Sequence, residues 1–287
     1  MNFRGTFFQL PVLAGLLAGP AVAAPSIAAV QAAAVAVKES AEPLPEYPSR
    51  MYARLSEATR PQWRQHYRPT VTRCLESRPQ AAMGLGAVIA DLFLAAQARD
   101  SQQIRNLLQD EETIEKTLGL IQAMAPLRTE VLGAAEAGDW KRLGEGIENL
   151  SFGLRRHLRS QKDEPLSELA YIGQWLRTLQ TCHAVVIARG LEDPGLAIGN
   201  PALVSEMIRR LELLSDPATE TNRCLRLLHK RLAGLGRLWP ENYAAIPNPS
   251  ERLQKSADLL TDTVGQLIQE EDPAAAPGAG TLAVPKP

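Results

Sequence analysis

The sequence predicts an all-α protein, a multi-helix bundle with a candidate tandem helical-hairpin (solenoid-like) portion. Apolar residues recur at helical spacing in nearly every window between residues 61 and 271, and strand-like alternation is absent. Ala and Leu dominate while aromatic residues make up only 5%, so the residue types that favour strands rarely cluster. At 45% hydrophobic residues the chain has the material for a real core.

Taken in order, residues 1–23 read as a secretory signal peptide. Arg4 is the lone charge, Phe7 to Leu17 form the apolar stretch, and Ala21-Val22-Ala23 is the small-residue pattern that precedes cleavage. An uncleaved anchor is the competing reading, because apolar residues continue to Val37. Pro11, Pro20 and Pro25 interrupt that run, however, and a span needs about 20 mostly apolar residues. The first cysteine is Cys74, which excludes a lipid-modified cysteine near the cleavage site, and no later window is expected to span a membrane. Residues 24–60 read as an Ala/Pro-rich linker, 61–271 as the helical domain and 272–287 as a disordered tail.

Within the domain, helices are expected near 61–77, 80–98, 101–109, 111–124, 127–137, 139–160, 165–189, 201–214, 217–238 and 250–271. Pro79 and Pro126 separate segments, while Asp139, Asp216-Pro217 and Pro249-Ser250 look like helix starts. Residues 193–201, with Asp193-Pro194-Gly195 and Gly199-Asn200-Pro201, mark the longest internal loop. The 165–189 helix is expected at the centre. Its face of Leu169, Ile172, Trp175, Leu176, Leu179, Cys182 and Val186 is wider than one stripe.

Two patterns concern helix contacts. Gly84/Gly86, Gly144/Gly146 and Gly234/Gly236 lie inside helical patterns, where glycine costs about 1 kcal/mol relative to Ala. Close helix approach or a local bend explains them better than a phosphate loop, since neither the dinucleotide nor the Walker pattern is complete. Residues 91–100 also resemble 130–139 at an offset of 39, each Ala-rich helix ending in a turn that reaches an Asp. A tandem duplication of hairpins would give a concave surface for a partner. Coincidence between two Ala-rich helix–turn–helix units is the alternative.

The search for chemistry is mostly negative. Cys74, Cys182 and Cys224 each sit on an apolar stripe and are expected to pack as small hydrophobes, with Cys182–Cys224 the favoured pair if a bridge forms. No metal-ligand spacing, nucleophile elbow or redox Cys pair occurs, so no cofactor, metal or catalytic residue is assigned. The acidic run Asp110-Glu111-Glu112, with Glu115, is expected to sit at a helix start and meet its dipole. Net charge is −1, which gives no general argument for nucleic acid or an anionic membrane.

Two basic groups remain as a candidate docking surface: Arg155, Arg156, Arg159 and Lys162, and Arg223, Arg226, Lys230 and Arg231. Trp140, Trp175 and Leu179 are the candidate apolar pocket. The leading expectation is an exported, non-enzymatic helical protein that binds a protein partner or assembly in the cell envelope. A periplasmic location is favoured over a secreted one, and membrane attachment would require retention of the N-terminal segment. The alternatives are a carrier or sensor of a small apolar or anionic ligand, and an enzyme with dispersed residues.

Overall fold

The computed structural model describes residues 48–68, 77–199, 202–214, 223–239 and 248–268. The signal peptide, the N-terminal part of the linker, Cys74 and the C-terminal tail lie outside them. In chain order the elements are α1 (Pro48–Thr59), a 3-10 turn (Trp63–His66), α2 (Arg78–Gln97), α3 (Ser101–Leu118), α4 (Ile121–Glu136), α5 (Trp140–Ser160), α6 (Glu164–Ala188), the short α7 (Pro194–Ile198), α8 (Ala202–Glu212), α9 (Arg223–Leu238) and α10 (Pro249–Ile268). Among the described residues 86% are helical and none is in a strand, which makes the protein an all-α multi-helix bundle.

The pair α2 and α6 forms the centre, because both helices are apolar almost all round. Every residue from Gln80 to Ala95 is buried along α2, and α6 is buried on most sides from Leu166 to Val186. Glycine lets their backbones touch. A Cβ on Gly86 would overlap the carbonyl oxygen of Ala170, and one on Gly173 would overlap that of Met83. Arg78 pairs with Asp163 at one end and Asp91 with Arg177 further along, so the two helices run parallel in register. The close approach expected of the glycine pairs is therefore made at Gly86. At Gly144 a side chain would meet nothing, and at Gly146 it would meet Val131 at an ordinary 3.4 Å.

The chain reaches this parallel pair through α3, α4 and α5, and each turn uses the same chemistry. Arg99, Gly119, Gly138, Lys162 and Gly190 all have positive φ. In each case the next residue's amide bonds back five residues, for example Asp100 to Ala95 at 3.1 Å and Asp139 to Ala134 at 3.0 Å. This closure satisfies carbonyls that the helix end would otherwise leave open. Asp100 and Asp139 then cap the following helices, accepting from the amides of Gln103 and Arg142 at 3.1 Å each. The similarity at offset 39 thus corresponds to two equivalent helix–turn–cap units, but the turn itself recurs after α3, α5 and α6.

Several expectations need correction. Residues 48–59 are not linker: Met51, Tyr52 and Leu55 make one apolar stripe and are buried, because i, i+1 and i+4 share a helix face. Of the helix expected over 61–77, the described part is only the 3-10 turn, whose Trp63 packs edge-on against Tyr52 at 5.5 Å. No break falls near residue 110. Ser101–Leu118 is one helix with a buried stripe of Ile104, Leu107, Leu108, Glu111, Ile114, Glu115 and Leu118. The break comes instead at Gly119, whose φ of 71° only glycine adopts cheaply. Pro126 then lies inside α4, in the sixth position of that helix. The acids Glu111 and Glu115 accordingly face the core rather than a helix start. Finally, α2 is long and apolar enough to cross a membrane, contrary to expectation, although 89% of that window is buried inside the fold.

Candidate functional site: an arginine-rich junction

The C-terminal turn of α5, the N-terminal third of α6 and the last turn of α8 meet around Tyr171. Tyr171 is on α6, buried, and its ring packs edge-on against Trp175 one turn later, with centroids 6.4 Å apart. Arg155 from α5 lies over one side of the ring at 5.6 Å, and Arg210 from α8 lies at 4.4 Å. Cation–ring contacts of this kind are worth about 0.5–2 kcal/mol each, more as water is excluded.

The two arginines differ in their partners. Arg210 donates to Glu168 Oε2 and Glu206 Oε1 at 2.6 Å each, and Arg159 donates to Glu168 Oε1 at 2.8 Å. Burial disfavours the Glu168 charge, but the hydrogen bonds from Arg159 and Arg210 outweigh it and hold the carboxyl below its ordinary value. Arg155 instead rests on aromatic rings, that of Phe152 at 5.0 Å and that of Tyr171. Burial, and then the neighbouring charges of Arg159 and Arg210, push its pKa down. Among the described residues its Nε is buried without a hydrogen-bond partner, and the Tyr171 hydroxyl, beside the Trp175 indole, has no acceptor. Burial raises the Tyr171 hydroxyl to about 12, so it remains a neutral donor at physiological pH. Four arginines (155, 159, 209 and 210) face two glutamates (168 and 206), leaving a net charge of +2.

Only part of the candidate docking surface is assembled here. Arg155 is half-buried in the junction, while Arg156, Arg159 and Lys162 are exposed along and just beyond the end of α5. On α9, Arg226 and Lys230 are exposed, and the side chain of Arg223 lies outside the described residues. Arg231 turns toward α10, donating to Gln266 at 3.0 Å with Asp262 at 3.9 Å. Sequence reading missed Tyr171, Glu168, Glu206, Arg209 and Arg210. The available signal was Glu206 three and four residues before Arg209-Arg210, a spacing that puts all three on one helical face.

The candidate apolar pocket is not gathered as expected. Trp175 and Leu179 are buried on α6, whereas Trp140 is half-exposed at the first position of α5. Ser151 bonds to Gln174 at 3.0 Å across the antiparallel α5–α6 pair. That register sets Trp140 opposite the C-terminal part of α6, beyond Leu179. Cys182 is buried in α6 and Cys224 half-buried near the start of α9, and they are not bridged to each other.

A second charged group lies in the core. Asp91 of α2 accepts from Arg177 of α6 at 2.6 Å and from Arg68 at 2.7 Å. Arg177 also donates to the carbonyl of His66 at 2.6 Å and to Gln180 at 2.8 Å. Burial, together with the charges of Arg177 and Arg189, lowers the pKa of His66. This group fastens the segment after α1 to the central pair. Compared with family models, curated proteins and solved structures, the chain matches none of them.

Proposed function

We propose that the chain is an exported, non-enzymatic helical protein of the periplasm that binds an acidic protein partner through the arginine-rich junction. The observation that carries the reading is Arg155, a guanidinium packed on aromatic rings and given no carboxylate hydrogen bond among the described residues. An incoming carboxylate would supply what Arg210 already obtains from Glu168 and Glu206, and charge-assisted bidentate bonds are the strong class. Arg156 and Arg159 on the exposed side would steer an acidic surface toward it. The N-terminal pattern of residues 1–23 supports export.

The test is native mass spectrometry of the protein isolated from its host envelope, beside a variant carrying Arg156→Glu and Arg159→Glu. A co-purifying acidic protein that is lost from the variant supports the proposal. A bare monomer from both, or a partner held equally by both, overturns it. The second reading, a carrier of a small anion, is favoured by the Tyr171 hydroxyl, a buried donor with no acceptor among the described residues. It would show as a small added native mass and a melting temperature raised by that anion.

A further inference from the structure

Glu111 is wholly buried in the middle of α3, and among the described residues neither of its carboxyl oxygens has a hydrogen-bond partner. Glu115, one turn later on the same stripe, is also wholly buried. One of its oxygens accepts from Arg128 of α4, and the other has no partner. Three carboxyl oxygens in a water-excluded seam therefore lack a donor, and one guanidinium faces two acids. An unpartnered buried carboxylate costs several kcal/mol, so the group adopts the form that needs least solvation.

We propose that Glu111 is a proton-binding site that couples the docking of the α3–α4 hairpin to pH. The docked hairpin holds the proton and the loosened hairpin releases it to water. With the proton in place Glu111 is neutral and can itself donate, and the open oxygen of Glu115 is an acceptor on the same helix face. Arg128 then neutralises Glu115 alone. When Glu111 ionises, a second buried negative charge competes for that one arginine, and exposing the seam to water relieves it.

Among the described residues, the surrounding charges leave no other partner for Glu111. On α4 the charged residues besides Arg128 are Glu130 and the exposed Glu136, which pairs with Arg105 of α3 at 3.5 Å. On α2 they are Arg78, paired with Asp163, and Asp91, held by Arg68 and Arg177. On α3 itself Glu112 is half-buried and Lys116 exposed, and Asp110 has interactions of its own. Burial raises the Glu111 pKa to about 8, with Arg128 pulling in the opposite direction. The hairpin is also mechanically suited to move. Gly119 links the two helices, and Pro126 has no amide to close the first turns of α4.

The experiment is hydrogen exchange of the α3–α4 segment, corrected for intrinsic base catalysis, in wild type and in Glu111→Gln. The closed form binds one proton more than the open form between their midpoints. Opening should therefore rise about tenfold per pH unit from about pH 5.5 to about pH 7.5 in wild type. In Glu111→Gln it should stay flat. Should that variant fail to fold, carboxyl-carbon NMR of the wild type decides: a Glu111 midpoint well above the ordinary carboxylate range supports the proposal. A midpoint in the ordinary range, or the same pH-dependent exchange in Glu111→Gln, overturns it.

Discussion

Asp91 and Glu111 are both buried, one in the α2–α6 centre and the other in the α3–α4 seam. Two arginines converge on Asp91, and Arg177 is itself anchored to a carbonyl and a glutamine. Among the described residues Glu111 has no hydrogen-bond donor, and Arg128 nearby serves Glu115. Two buried carboxyls thus differ in what surrounds them: the first accepts from two guanidiniums, while the second has none of its own and favours the neutral form.

The sharpest way to expose that contrast is pH. Glu111 has a folded pKa of about 8 against 4.5 in an unfolded chain, so the folded state binds the extra proton between those values. Stability should fall as pH rises through that window, by about 5 kcal/mol in total. Denaturant melts at several pH values check this, and Glu111→Gln should remove most of the slope. Breaking the other region should cost nearly as much. Asp91→Ala leaves Arg68 and Arg177 buried without their acceptor and should destabilise by about 3–5 kcal/mol near neutrality.

A buried base in the first region gives the opposite pH trend. His183 of α6 is wholly enclosed, its Nδ1 bonded to the Leu179 carbonyl at 2.7 Å, and burial lowers its pKa to about 4. The unfolded chain takes up a proton below about 6.5 that the folded one refuses, so the His183 contribution should fall by about 3 kcal/mol as pH drops to 4, offsetting the Glu111 gain where the two windows overlap. In melts on the acid side, His183→Phe should gain stability relative to wild type as pH drops from about 6.5 to about 4; the same pH dependence in both would contradict the assignment. The smallest effect concerns the turns bounding α3. Arg99 carries a φ of 49° where Gly119 carries 71°. Arg99→Gly should raise stability by up to about 1 kcal/mol and Gly119→Ala should lower it by about 1 kcal/mol, both read from urea midpoints.

Much of this bundle is legible in the sequence because its signals are local. Asp139 marks the start of α5 and the start expected at 165 falls within a residue of that of α6, and the breadth of apolar residues from Leu169 to Val186 identifies the central helix. The α1 helix was hidden by its neighbourhood, since the prolines around it read as linker although Met51, Tyr52 and Leu55 already share a face. Glu111 and Glu115 were misplaced because adjacent acids mimic a helix start. Only the register of Ile104, Leu108, Ile114 and Leu118 shows that they point inward. The junction around Tyr171 was half legible. Arg155 and Arg159 stand in a visible basic run, but Glu168, Tyr171 and Arg210 reach them from other helices, and no local spacing reports that.

The glycine contact between α2 and α6 has a consequence for the order in which the chain assembles. Gly86 and Gly173 lie about 87 residues apart, whereas the intervening turns join neighbours within about 20. Each doubling of a closed loop adds roughly 0.6 kcal/mol of entropy cost, so the central contact starts about 1 kcal/mol behind the local hairpins. The hairpins are accordingly the early structures, and the meeting of the two glycine faces is the late, slow closure that commits the molecule to its fold. A side chain at Gly86 or Gly173 would then mainly slow folding, leaving early collapse intact.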